Sequence, residues 1–435
     1  MRVGKSPVIL RVLEELVNQF EIEKVLLVAP PSAIPDWIGH ISNWGESSVF
    51  DFYMGTREAV DAWNKADRGL LLCSYAFLNN NRKDRKYLHH TDIKSCDVLI
   101  CDESHSCKNY SAGRTRFALE ISKRADFRYI LTGTPTGGNN IDYYCQMRIL
   151  SPEIFDNMTL TQFRHAFFLP SFNRSPQGDF DPECQEVFDE RIQSASSSLR
   201  LADVREYLPK VQENTVLLPA TDQMALSTQR LKSDYMLEFQ GREISAVSAQ
   251  AALMKFNQIA NGHCLDDNGN PVVFTENPKL QWLADNLPQI TEQDKVIIWC
   301  IFKQDWRNVT NTLSTLRIPF VHYRSGMSTT ERGRKLDLFR NKESNRVIVA
   351  HQDSAGTGVN LSVAPVTIVY SRNYNWLSFA QALSRNVTID SKQVTIYNLV
   401  THGTVDSIIK KILDKKGERV QRDMSKFVLQ ELLDL

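Results

Sequence analysis

Leu99-Ile100-Cys101-Asp102-Glu103-Ser104-His105 carries an apolar strand, Val98 to Ile100, into two adjacent carboxylates and then a histidine. At the end of such a strand Asp102 is placed to hold a Mg²⁺, directly or through water. Glu103 is placed to orient or deprotonate a water molecule, and His105 to sense the state of a bound nucleotide. Metal, positioned water and charge stabilisation are what hydrolysis of a nucleoside triphosphate requires. By itself the tetrapeptide from Asp102 to His105 also reads as a solvated acidic turn, so its weight comes from the signals ordered around it.

Upstream, Gly4-Lys5-Ser6 has the chemistry of the end of a phosphate-binding loop: backbone N–H groups and a lysine for phosphates, a hydroxyl for Mg²⁺. An apolar strand, Val25 to Pro30, follows, with an aromatic pair, Trp37 and Trp44. Another strand runs from Leu70 into Ser74-Tyr75, and after the acidic motif a third ends in Leu131-Thr132-Gly133-Thr134-Pro135. Far downstream stand Ser354-Ala355-Gly356-Thr357-Gly358-Val359-Asn360-Leu361 and Gln381-Ala382-Leu383-Ser384-Arg385. The ordered set resembles the superfamily 2 helicases and translocases, closest to their Swi/Snf-like branch. There the acidic motif is D-E-x-H, the next L-T-G-T-P, the fifth G-x-G-x-N-L, and the sixth opens Q-A-x-x-R. The resemblance covers nearly the whole chain.

It implies an α/β fold: two RecA-like parallel-sheet lobes with a mainly helical insertion between them. It also implies ATP and Mg²⁺ as cofactors. Gly4, Lys5 and Ser6 would hold the phosphates, with Ser6 and Asp102 as the Mg²⁺ ligands and Glu103 polarising the attacking water. Gly356 and Gly358 would allow close backbone approach. Gln381 and Arg385 would act on the phosphates from the second lobe, Arg385 as an arginine finger. Ser74, Tyr75, Thr132, Thr134 and Asn360 would couple the motor to nucleic acid. Two departures stand out. Thr388 occupies the place of a second motif arginine, with Asp390 and Ser391 where Gly and Gln are usual. Met1 aligns with an internal Met of the family's phosphate-loop motif. That alignment leads us to expect a missing central strand, and an apolar groove beside the strands at Val25 and Val98.

Organisation along the chain agrees with two lobes. Residues 1–150 alternate helical stretches with short apolar strands, the pattern of a parallel sheet flanked by helices with ligands at the C-terminal strand ends. Residues 151–278 lose the alternation and read as a mainly helical insertion with one strand-like stretch, Glu213 to Leu218. Alternation returns over 279–416, with strands at Val296, Val347, Val366 and Val394, and 417–435 reads as a helical tail.

With 42% hydrophobic and 23% charged residues in 435, the composition is that of a globular protein of two or three domains. No apolar run is long enough to span a membrane. Eight scattered cysteines without a C-x-x-C pair read as reduced, buried thiols rather than zinc ligands or disulfides. The formal net charge of zero removes the general argument for nucleic-acid binding, leaving local basic runs such as Arg82 to Lys86 and Lys410-Lys411. The reading is an ATP-driven translocase or helicase on DNA, duplex by analogy with the branch. Its alternative is a degenerate motor that binds nucleic acid or a partner without turnover. A cytoplasmic protein of phage or bacterial type, working in the host cytoplasm if viral and with phage or host replication and recombination proteins as partners, is the expectation that compact size suggests.

Overall fold

The computed structural model describes residues 5–43, 50–79, 86–136, 139–169, 179–198, 209–239, 246–266, 268–324, 326–352, 359–372, 379, 382–383, 385–387 and 393–414. The chain divides into two compact units, 1–205 and 206–435.

In the first unit, β1 (Lys24–Ala29), β2 (Asp51–Met54), β3 (Gly69–Ser74), β4 (Val98–Asp102) and β5 (Phe127–Leu131) form a parallel sheet in the order β2-β3-β1-β4-β5. The central strands are continuous apolar runs because helices cover both faces. Alternate residues go to opposite sides. Val25, Leu27, Val98 and Ile100 pack towards α1 (Lys5–Gln19) and α2 (Ile34–Asn43), sharing a core with Ile9, Leu13 and Trp37. Leu26, Val28, Leu99 and Cys101 pack towards α3 (Arg57–Lys65) and α4 (Gly113–Ser122), with Trp63 and Phe117. Gly69 is required where it stands: a Cβ there would lie 2.7 Å from Cδ1 of Trp63.

The expected groove beside Val25 and Val98 is not found. Val25 pairs directly with Val98, and both are fully buried. These strands occupy the middle of the sheet with partners on either side, so exposure falls instead on β5, an edge strand whose five residues are all half-buried.

The stretch read as an insertion divides between the units. Phe155, Phe163, Phe167, Phe168 and Phe188 form an aromatic core with Ile141 and Tyr144, and so fasten α6 (Leu160–Phe167) and α7 (Gln185–Ser194) to α5 (Tyr143–Leu150) of the first unit. The strand-like segment is β6 (Val211–Leu218), and it joins the sheet of the second unit. That sheet also contains β9 (Val296–Cys300), β10 (Phe320–Tyr323), β11 (Val347–His351), β12 (Val366–Val369) and β13 (Val394–Thr401). Its order is β10-β11-β9-β12-β13-β6, parallel throughout. A two-stranded antiparallel ribbon, β7 (His263–Leu265) and β8 (Pro271–Val273), lies outside it. Helices α8 (Asp222–Phe239) and α9 (Ala246–Ala260) precede the ribbon, and Ala252, Leu253 and Phe256 of α9 enter the main core.

Where α10 (Pro278–Gln293) begins, the second unit buries an ionic network. Lys279 Nζ lies 2.6 Å from Asp406 Oδ2, with both side chains fully buried, and also donates to Asn261 Oδ1 and to the Tyr370 carbonyl. Arg372, also fully buried, places Nε 3.7 Å from Asp406 Oδ1 and donates from Nη2 to the Leu399 carbonyl. The eight cysteines are unpaired, and burial pushes the Cys73, Cys96, Cys101 and Cys145 thiols up to about 12, in keeping with their reading as structural thiols. Among the described residues, no helix is long and apolar enough to cross a membrane.

Candidate functional site

At the C-terminal end of β4 the chain turns sharply. Asp102 is the last strand residue, and Glu103 takes a left-handed conformation, φ 49°, rare for a residue with a Cβ. Such strain costs about 1–3 kcal/mol and persists where the surroundings over-determine it. They do so here. The Glu103 N–H donates to Asp102 Oδ1 at 3.0 Å, and the Trp37 indole donates to Asp102 Oδ2 at 2.9 Å. Lys5 Nζ, at the start of α1, donates to Glu103 Oε1 at 3.4 Å. His105 Nδ1 lies 3.3 Å from Glu103 Oε2 and 3.5 Å from Thr132 Oγ1, which in turn accepts from the Thr134 N–H at 3.1 Å. The acidic motif, Lys5 and the segment 131–135 thus meet through side chains.

Electrostatically the site is acidic and dry. Asp102 and Glu103 are 8% and 6% exposed. Burial pushes the Asp102 carboxyl above the usual carboxylate range, and the charge of Glu103 pushes it further; Lys5 and the Trp37 hydrogen bond act against this. Two adjacent buried carboxylates with a single lysine carry an excess of negative charge that a divalent cation bound with a polyphosphate would neutralise. Mg²⁺ typically sits so, on one or two protein oxygens plus phosphates and water. Among the described residues, no group of three or more metal-ligating side chains gathers.

Two residues of the site escaped the sequence reading. Gln146 on α5 is fully buried. Its Oε1 accepts from the Ser104 hydroxyl at 2.7 Å, and its Nε2 donates to the Pro135 carbonyl at 2.6 Å and the Asp142 carbonyl at 2.8 Å. One side chain therefore ties the residue after Glu103 to the loop after β5. The legible signal was a glutamine among Tyr144, Cys145, Met147 and Ile149 on an otherwise buried helix face. Trp37, read only as one of an aromatic pair, is the donor that orients Asp102.

Gln146→Leu should take the acceptor from the Ser104 hydroxyl and a donor from the Pro135 and Asp142 carbonyls, at about 1–3 kcal/mol for a buried group left unsatisfied. We expect a lower Tm and at least tenfold slower turnover. In Ser104→Ala/Gln146→Leu the hydroxyl and its acceptor are both gone, so part of the Tm should return while the rate stays low. Thermal melts beside phosphate-release rates check this, and full recovery of both in the double variant would reduce Gln146 to packing.

Other expected site residues are placed as follows. Ser6 lies half-buried in the first turn of α1, and Ser74 half-buried at the end of β3. Tyr75 is 5% exposed inside the hydrophobic core, and burial pushes its phenol well above the ordinary value. There it packs within the core beside the sheet. In the second unit Asn360 is exposed, and its carbonyl accepts from Arg340 Nε and Nη2. Arg385 is 5% exposed; its backbone donates to Ala382 and accepts from Leu361. Gly4, Trp44, Gly356, Gly358, Gln381 and Thr388 lie outside the described residues, as does most of the basic run Arg82 to Lys86.

Comparison with known proteins adds the following. The ATP-dependent helicase fft2 of Schizosaccharomyces pombe is 23% identical over 96% of this chain and 38% of its own length. The DNA repair and recombination protein RAD54B of Homo sapiens is 26% identical over 91% of this chain and 48% of its own. The chain thus spans less than half the length of either relative. Both come from eukaryotes, so the expected phage or bacterial source gains no support from them. The Sulfolobus solfataricus SWI2/SNF2 ATPase core in complex with dsDNA is 19% identical, covering 99% of this chain and 88% of that one, with a TM-score of 0.42. The SNF2-related domain matches residues 1–267 and the helicase conserved C-terminal domain residues 278–389. With the first of these covering more than half its length, the chain belongs to the SNF2-related family.

Proposed function

We propose that this chain is an ATP hydrolase whose turnover is coupled to movement on duplex DNA. The observation that carries the reading is the buried Asp102–Glu103 pair at the end of β4, with Lys5 on one side and His105 leading to Thr132 on the other. Lys5, now on Glu103, would exchange that carboxylate for the phosphates of ATP. Glu103 would then be free to polarise the attacking water. Asp102, fixed by Trp37, and the Ser6 hydroxyl would hold Mg²⁺, whose charge offsets that of the phosphates. His105 and Thr132 would pass the protonation or occupancy of Glu103 to the Thr134 turn, and Ser74 and Asn360 would belong to the nucleic-acid track. Gly4 would complete the phosphate loop, and Gly356, Gly358, Gln381 and Arg385 would be the contribution of the helicase C-terminal domain. SNF2-related membership, and the DNA in the printed names of relatives, support DNA as the partner over RNA.

The test is phosphate release with and without duplex DNA. Release stimulated by DNA supports a motor, and DNA binding without release supports the non-hydrolysing alternative. Arg385→Ala should lower turnover by about 10³-fold, the scale of an arginine finger, and change ATP affinity far less. Equal losses in rate and affinity would make Arg385 a packing residue, the role its burial offers instead.

A further inference from the structure

A single peptide group in the second unit joins Asn360, proposed for the nucleic-acid track, to Arg385, the proposed finger. The group between Asn360 and Leu361 is held at both ends. Its carbonyl accepts from Arg340 Nε at 3.0 Å and from Arg340 Nη2 at 2.7 Å. Its N–H, that of Leu361, donates to the Arg385 carbonyl at 3.0 Å. A trans peptide is planar, with its C=O and N–H pointing opposite ways, so turning one end turns the other. The guanidinium that fixes the Asn360 carbonyl therefore also fixes the donor on which the Arg385 backbone rests.

Both sides of this contact stand on anchored backbone. Arg340 lies in the last turn of the helix Thr329–Asn341. Lys295, just before β9, donates from Nζ to the carbonyls of Phe339, Arg340 and Lys342, and Asn345 Nδ2 donates to that of Leu338. The Phe339 ring is fully buried in the core, so the end of the helix that carries the guanidinium is pinned. On the other side, Val359 and Leu361 are buried to either side of Asn360, whose Oδ1 accepts from the Ser362 N–H at 3.0 Å. Asn386 Nδ2 donates to the Ala364 carbonyl at 2.9 Å and to the Thr367 hydroxyl at 3.0 Å. Segment 359–364 is thus tied to residues 385–386 at two points, Leu361 and Ala364, and Arg340 reaches the first of them from a neighbouring helix. Two N–H groups of one cation on one carbonyl make a stronger hold than a neutral backbone contact. We propose that Arg340 is a positioning residue: through the 360–361 peptide it keeps Asn360 and Arg385 in one fixed relation, so that occupancy of the nucleic-acid track is felt at the finger. The consequence for turnover rests on the proposed motor reading.

The test uses the full chain as wild type, Arg340→Met, Arg340→Lys, Arg385→Ala and Arg340→Met/Arg385→Ala, each first shown by melting to be folded. Hydrogen exchange without ATP reads the contact itself. In Arg340→Met, exchange should quicken about tenfold or more over 359–364 and 385–387 together, while β9 and β12 keep wild-type protection. Arg340→Lys can still give a charged N–H to the same carbonyl, so it should show less of the change. Wild-type exchange at Leu361, or exchange quickened evenly across the second unit, overturns the proposal. Phosphate release reads the consequence. Arg340→Met should lower the DNA-stimulated kcat about tenfold or more and change KM for ATP less than about threefold. If Arg340 acts through Arg385, the two losses do not multiply: with the finger side chain already gone, Arg340→Met removes less than about threefold further. A double variant whose loss is the product of the two single losses overturns the route through Arg385. Wild type that releases no phosphate with DNA counts against the proposed function alone, and exchange at Leu361 then decides the role of Arg340.

Discussion

Glu103→Gln should lower ATP turnover about 10²–10⁴-fold, the range for removing a positioned general base, while ATP remains bound. The glutamine keeps the size of the side chain and its capacity to accept from Lys5, so the left-handed turn after β4 has no new reason to relax. The charge is what goes, and with it the ability to polarise water. Two electrostatic consequences favour retained or tighter binding. Lys5 is no longer held by a carboxylate 3.4 Å away and is available to phosphate. Asp102 loses the neighbouring charge that helps push its carboxyl up, so it ionises more readily and meets Mg²⁺ as an anion. Single-turnover phosphate release and equilibrium binding of a non-hydrolysable ATP analogue separate the two effects. Turnover at the wild-type rate would remove Glu103 from the chemistry. Parallel loss of binding and turnover would make it a structural residue of the turn.

The parts of this molecule that local sequence dictates were readable in advance. Residues 25–29, 98–101 and 296–300 are unbroken apolar runs because each lies inside a sheet covered on both faces, and burial on both faces leaves no room for polar alternation. The acidic motif was readable because its chemistry is held in consecutive residues. What depended on distant pairing was not. That β1 would lie directly against β4 follows from sheet order, which no local pattern encodes, and so the groove expected beside Val25 proved closed. Residues 151–198 looked like part of a separate insertion because their helices are short and their surfaces polar. Their assignment to the first unit rests on five phenylalanines spread from 155 to 188, whose clustering appears only once the chain is folded. Gln146 and Trp37 escaped for the same reason: each acts on a motif 42 and 65 residues away, respectively.

Asp406→Asn should destabilise the second unit by about 3–5 kcal/mol, the cost of breaking a buried ion pair by removing one partner. For a unit of this size that corresponds to a fall in Tm on the order of 10 °C. Burial pushes the Asp406 carboxyl up, but the charges of Lys279 and Arg372 outweigh it and hold the carboxyl below its usual range. Its contribution is therefore present above the unfolded carboxylate value of about 3.9 and is lost only as the pH falls through the lower folded value. At neutral pH the whole of it is at stake. The variant leaves two fully buried cations facing each other with no carboxylate between them. Lys279 is the one that can yield, because burial already pulls its ammonium below the ordinary lysine value. A lysine whose folded value lies below its unfolded one gains stability as pH rises through the folded value. Asp406→Asn should thus be most damaged near neutrality and regain more of its Tm in alkaline solution than wild type does, because without the carboxylate the Lys279 value falls further. Lys279→Met added to Asp406→Asn should restore part of the Tm at pH 7 as well, since it removes one of the stranded charges. The network joins the start of α10, the segment after β12 and the start of the helix Val405–Asp414, so the transition that moves should be that of the second unit. A Tm at pH 7 within about 2 °C of wild type, under 1 kcal/mol on the same scale, would mean that the surroundings rehydrate the site and that the pair is not the clasp of this unit.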